Sequence, residues 1–578
     1  MPNLPCRSLV FAALLLLNTV VVVAQPADTV LVDGRIHVVD DKNQIVEALA
    51  IRDGRILAIG KSETIRKQHV GSTTKVVKLG GKTVIPGIIA AHCHALGVAR
   101  AELEQPHAEL LSIAEVQDWI RHRAKQVDKT TWIKVPRSDI TRLRERRHPT
   151  PAELDEACTT HPVIFTAARK TVLNSRGFRL AGVTDRNAEI PDGRIILDKQ
   201  NKPLLIAGGN AHLRKLMPRA EHTQKELLES LQNVHRHYNA VGITSIFERA
   251  ANIDTFLLYR KLRDEDRLLV RMVQTFRQGF RSAKDVENYV NKLKMKTGDG
   301  DAWVRVGPLK IMVDGGIHWG NTFLREPYGA KRAAFYVHDS PDYRGDIRYT
   351  ADQMAEIFQA GHRLGWQWCC HVTGDAGVDR VLKAIETVAE EDPSIKKRRF
   401  SLTHAYFPIE DAVRRAKSLG VCVDTQSSLY FKDSDAIAEF YGESWADRFI
   451  GVGEWRRGGI PTAIAGDHMM GLDPDRSMNA YNPFLMLYVA VTRKNRAGKV
   501  YGAHQRLSRH EALRCITKWP AYLSFEEDLK GSLETGKLAD LVVLDRDYFT
   551  CPEDEIKDIQ VLKTMLDGKI VYVRPQPR

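Results

Sequence analysis

The middle of the chain alternates short apolar runs with stretches whose apolar residues recur at helical spacing. That alternation predicts βα units wound around a parallel sheet. Thr350-Ala351-Asp352-Gln353 reads as a capping box that opens a helix through Leu364, stopped by Gly365, with a strand directly after it. Eight apolar runs end in or near side chains with ligand or proton-transfer chemistry: Val84–His94, Ile243–Phe247, Arg271–Phe276, Leu309–Val313, Trp368–Val372, Phe400–His404, Val421–Thr425 and Thr462–Asp467. Eight is the number that closes a (β/α)8 barrel. Two further runs, Thr131–Val135 and Pro162–Ala167, fall between the first and second strands. They predict an insertion of roughly residues 100–220 over the barrel mouth.

The two ends of the chain carry a different pattern. Thr29–Val32, Arg35–Val39, Ile45–Ile51 and Arg55–Ile59 are short strands divided by Asp33-Gly34, Asp40-Asp41 and Asp53-Gly54. Ala539–Asp545, Val561–Leu566 and Lys569–Val573 repeat it at the far end. Neither group closes a core alone, so the expectation is one composite β-sandwich built from residues 25–84 and 528–578, with an α/β barrel over 85–527. Residues 1–24 stand apart: Arg7, the apolar Leu9–Leu17 and Val20–Val23, and the small Val22-Val23-Ala24 before Gln25 have the layout of a cleaved export signal. The mature chain is then expected in the periplasm or outside the cell. No other stretch is long and apolar enough for a membrane span.

Composition narrows the partners. The 43% hydrophobic and 27% charged residues are those of an ordinary globular protein. The formal charge of +13 is spread along the chain in clusters as small as Lys396-Lys397-Arg398-Arg399, with no nucleic-acid motif beside them, so solvated surface is the reading and nucleic acid is excluded. Seven cysteines remain after the leader; they are irregularly spaced, so no disulfide framework is expected. A small molecule is the expected partner, and a homo-oligomer is compatible with the sequence.

The candidate chemistry begins at His92-Cys93-His94. Side chains on a strand alternate between faces, so His92 and His94 point the same way and can share one ion. Neutral imidazoles suit zinc and similar borderline metals. In a barrel of this kind chemistry sits at the C-terminal strand ends. Read there, the chain adds Lys310 on the fourth strand, His371 on the fifth, His404 on the sixth and Asp467 on the eighth.

This set resembles the amidohydrolase superfamily. Val84-Ile85-Pro86-Gly87-Ile88-Ile89-Ala90-Ala91-His92-Cys93-His94 resembles its opening strand, His371–Asp375 and Leu402–Ala405 its fifth and sixth, and Gly531–Val542 the return into its sandwich. Leu309–Gly315 and Asn174-Ser175 resemble the amidohydrolase 3 branch, which includes N-substituted formamide deformylases. The resemblance implies a divalent metal, zinc above all, as one or two ions. His92 and His94 would hold one and His371 and His404 a second. Lys310, if carboxylated, would bridge them. Asp467 would ligate and take the proton of an attacking water.

The implied reaction is hydrolysis of a non-peptide carbon–nitrogen bond in an amide, formamide, carbamate or cyclic amide. Ester or lactone hydrolysis on the same site is the alternative, and a non-catalytic envelope protein that binds a small molecule or metal is another. The substrate-facing words depart from the branch at Asp314–Asn321, at Ala167-Ala168-Arg169 and at Gly466–Met469. His318, Trp319 and Arg325, in the loop after the fourth strand, are the expected substrate contacts, together with Arg169 for a carboxylate-bearing substrate.

Overall fold

A computed structural model describes residues 26–185, 187–217 and 221–575; the expected export signal lies outside them. The centre is an eight-stranded all-parallel sheet. Its strands are β1 (Ile88–Cys93), β2 (Ile243–Ala251), β3 (Arg271–Arg277), β4 (Val304–Met312), β5 (Trp368–Val372), β6 (Ser401–His404), β7 (Cys422–Thr425) and β8 (Thr462–Ile464). Each pairs with the next in chain order. Closure between the last and first strands rests on two backbone bonds, Asp467 N–H donating to His92 O at 3.1 Å and His94 N–H donating to His468 O at 3.0 Å. The barrel therefore shuts at its ligand-bearing ends.

Local signals decide where the covering helices start and stop. Thr350 accepts from Gln353 N–H in a reciprocal capping box that opens the helix Ala351–Arg363. Gly365, at φ +84°, takes the left-handed conformation that ends it. Trp366 and Trp368 are fully buried beyond it, beside Phe358 and Phe276.

The run expected as one strand over Val84–His94 is divided. Thr83–Pro86 pairs with Leu541–Leu544 on one side and Arg35–His37 on the other, in a six-stranded sheet, and only Ile88–Cys93 enters the barrel. Gly87 is the joint: a Cβ there would stand 2.3 Å from Thr244 Oγ1 and 3.0 Å from Asp540 Cβ. The chain thus passes from sandwich to barrel at a point too tight for a side chain. A four-stranded sheet, Arg55–Gly60, Ala48–Arg52, Thr29–Val32 and Lys75–Lys78 in spatial order, packs on the six-stranded one through Leu31, Ile36, Leu49, Ile56, Leu541 and Met565. Both chain ends thereby share one core. Arg271 of β3 ties barrel to sandwich, its buried guanidinium donating to Asp540 at 2.7 and 3.0 Å and to Asp567 at 3.0 Å.

Between β1 and β2 the leftover runs form a separate five-stranded sheet: Ile133–Lys134, Val163–Ala167, Lys170–Leu173, Gly193–Leu197 and Pro203–Gly208. The segment after its first strand carries Arg137 and Asp139 back to the barrel mouth.

Candidate metal centre

His92 and His94 leave β1 toward one cavity of about 150 Å3, which Lys310, His371, His404, Asp467, His318 and Trp319 also line. Two candidate ligand positions sit at left-handed backbone, His404 at φ 82° and Asp467 at φ 52°. Non-glycine residues hold that conformation only where their surroundings enforce it, and such sites cluster where geometry serves function.

The outer hydrogen bonds determine which ring nitrogens face the cavity. His92 Nδ1 meets Asp424 Oδ1 at 3.0 Å, and His94 Nδ1 donates to Arg249 O at 2.9 Å. His404 Nδ1 bonds Gln426 Oε1 at 2.7 Å, and His371 Nε2 donates to Gly315 O at 2.7 Å. Each neutral imidazole has one N–H, spent on the outer acceptor, so each turns one lone pair inward. Burial holds His92 and His371 well below the ordinary histidine range and His404 at about 4, which keeps these three neutral. Burial raises the Asp467 carboxyl, but His92, His94 and His404 outweigh it, so the group is held ionised, below the usual carboxylate range.

His92, His94 and Asp467 form the tightest group, with ligand atoms within 4.8 Å of one another. Asp467 Oδ1 lies 3.3 Å from His92 Nε2 and 3.2 Å from His94 Nε2. It is buried and has no hydrogen-bond partner among the described residues. Two imidazole nitrogens and an anionic oxygen converge on one point, a donor set that a divalent cation suits. The residues therefore fit the metal. His371 and His404 stand beside this trio, with ring centroids 4.3 Å apart and His404 5.1 Å from His92. Lys310, buried on β4, forms no hydrogen bond or ion pair among the described residues, and burial, with Arg249 nearby, lowers its pKa.

Sequence reading passed over Asp424 and Arg249, which support the trio from behind. Asp424 accepts from Thr403 Oγ1 at 2.7 Å and from Arg249 Nη2 at 3.2 Å while facing His92. Arg249 also donates to Ala91 O, tying β2 to β1. The available signal was a carboxylate and a guanidinium within apolar strands, since such groups are buried only when paired.

The expected substrate contacts separate. His318, in the 3-10 turn Ile317–Trp319, lines the cavity and bonds Asp433 Oδ2 at 2.8 Å; Asp433 is also held by Arg142. Trp319 lines the cavity too. Arg325 does not reach it: its Nε and Nη2 donate to Asp379 at 2.6 Å each, on the helix after β5. Arg169 is drawn away by Asp346, at 3.1 Å, and lines a neighbouring cavity. His468, beside Asp467, is buried against Tyr238 and Gly471 and does not line the site.

The family model of the Amidohydrolase family matches residues 75–572. N-substituted formamide deformylase of Arthrobacter pascens is 27% identical over 565 residues, covering 95% of this chain and 99% of that protein. The fold is shared with the crystal structures of uncharacterized metal-dependent hydrolases from Pyrococcus horikoshii OT3 (TM-score 0.66, 20% identity, 91% of this chain and 99% of that one) and Pyrococcus furiosus (TM-score 0.64, 21% identity, 90% and 100%). A match spanning the strands that carry all four histidines, Lys310 and Asp467 leaves one conclusion: the chain belongs to the amidohydrolase family of metal-dependent hydrolases.

Proposed function

We propose that this protein is an exported hydrolase of a non-peptide carbon–nitrogen bond in a small molecule, an amide, formamide, carbamate or cyclic amide. The observation that carries the reading is Asp467 Oδ1, buried, ionised, without a hydrogen-bond partner among the described residues, and 3.2–3.3 Å from two imidazole nitrogens. The formamide case draws support from the Arthrobacter relative, whose activity its name states.

His92, His94 and Asp467 would hold one divalent ion, with zinc the best match to two imidazoles and a carboxylate. His371 and His404 would hold a second, provided that Lys310 becomes a bridging carbamate. That requires the neutral amine: its nitrogen bonds the carbon of carbon dioxide and loses a proton, and the burial that lowers its pKa favours this form. When bound, the metal polarises the scissile carbonyl and lowers the pKa of a water toward about 7. Asp467 accepts the proton released by the attacking water and passes it to the leaving nitrogen. The walls of a cavity of about 150 Å3 leave room for a small acyl group and little bulk water.

The test is metal content per chain of the mature protein, purified without chelators and with bicarbonate, beside a Lys310→Ala variant, followed by paired amides and esters of one acyl group. Two ions in the wild type and fewer in the variant, with amide turnover, are expected. One ion in both makes Lys310 a structural cation. Turnover of the esters alone assigns an esterase. Ligand binding without hydrolysis of either series removes the catalytic reading.

A further inference from the structure

We propose that Arg137 and Arg277 form an anion site at the mouth of the catalytic cavity, so that the substrate carries a carboxylate near its scissile carbon–nitrogen bond. The inference rests on the hydrolase reading above and narrows its substrate class.

Four arginines around the barrel mouth are committed to carboxylates. Arg142 is paired with Asp433, Arg249 with Asp424, Arg169 with Asp346 and Arg325 with Asp379. Arg137 and Arg277 line the metal cavity, yet neither guanidinium makes a hydrogen bond or ion pair among the described residues. Of the carboxylates that share the cavity, Asp467 faces the histidines, and Asp139 lies 3.6 Å from Arg142 with neither oxygen hydrogen-bonded among the described residues.

Arg137 is also positioned to sort substrates. Its guanidinium carbon lies 5.9 Å from the centroid of the Trp319 ring, a contact that steadies the group without spending its N–H donors. It borders both the inner cavity and an outer one of about 540 Å3. The outer wall carries Arg123 and Lys134 against Glu104, so its charge favours anions. A substrate with its scissile bond at Asp467 and its bulk in the outer cavity would lie beside Arg137, which lines both. Arg277, exposed at the end of β3, lines the inner cavity, and Arg348 adds positive potential beside it. A fork of N–H donors pairs with a carboxylate bidentately, which a neutral amide cannot match.

Calorimetric binding of N-acetylphenylalanine and of its neutral carboxamide, both enantiomers, tests this without relying on turnover. Wild type is expected to hold the acid at least about tenfold tighter than the amide, the usual scale for hydrogen bonds to a charged group. Arg137→Gln should abolish the preference, Arg137→Lys should keep part of it, and Arg325→Ala should leave it intact. Equal binding of acid and amide, undetectable binding of the acid, or a preference that survives Arg137→Gln with Arg277→Gln overturns the proposal. Acid preference in a protein that hydrolyses no carbon–nitrogen bond would remove the hydrolase reading and leave the anion site standing; turnover of neutral amides only, without acid preference, would do the reverse.

Discussion

Replacing Asp424 by Asn tests the support behind the metal centre. Asp424 is fully buried and carries three loads: it orients His92, accepts from Thr403 and neutralises Arg249. Arg249 is 2% exposed, and Asp424 is its ion-pair partner; its other acceptors are Ala91 O, Thr275 Oγ1 and Cys369 Sγ. Leaving a buried guanidinium without its carboxylate is expected to cost about 3–5 kcal/mol, a large part of the ~5–15 kcal/mol of a typical domain. Loss of the carboxylate behind a histidine ligand should also weaken metal affinity by about 10- to 100-fold. The two effects separate in Asp424→Asn with Arg249→Met, where an apolar side chain removes the stranded charge. Denaturant unfolding of the metal-free protein should show stability largely restored, while chelator competition should show affinity still depressed. Wild-type affinity in the single variant, with only stability lost, would refute the role of Asp424 in setting the His92 lone pair.

His235 on the helix Gln224–Ala240 is fully buried, its two ring nitrogens have no hydrogen-bond partner among the described residues, and burial holds its pKa at about 3. Because the unfolded chain takes up a proton near pH 6.5 and the folded one does not until about 3, the native state loses stability as pH falls between them, by about 1.4 kcal/mol per pH unit. His235→Leu should therefore gain stability over wild type by an increment that grows from pH 7 to pH 5 in urea titrations; an equal increment at both would exclude titration of His235. Arg325→Ala should leave KM and metal content unchanged and cost about 1 kcal/mol or less, since it removes a partly exposed pair with Asp379; a selective rise in KM would return Arg325 to the substrate site.

The gathering of the candidate ligands at one cavity was legible because it follows local rules. Strand alternation puts His92 and His94 on one face whatever they meet, and strands that end in His371, His404 and Asp467 deliver them to one end of a parallel barrel. The strand count and the pairing of both chain ends follow from the same patterns, read over short windows. Gly87 shows where this stops: an apolar run looks alike whether one sheet or two receives it, and only the approach of Thr244 and Asp540 divides Val84–His94.

Charge pairing is the part that tertiary structure alone decided. Arg169 and Arg325 do not line the histidine cavity; Asp346 and Asp379, distant in sequence or on another element, stand within their hydrogen-bond reach. Arg137, as basic and as unremarkable in the chain, makes no hydrogen bond or ion pair among the described residues. Arg249 and Asp424 met across 175 residues to hold His92. The physical reason is one of range. Periodicity acts between neighbours along the backbone, whereas an ion pair forms only after the whole fold has brought its two charges within a few ångströms of each other.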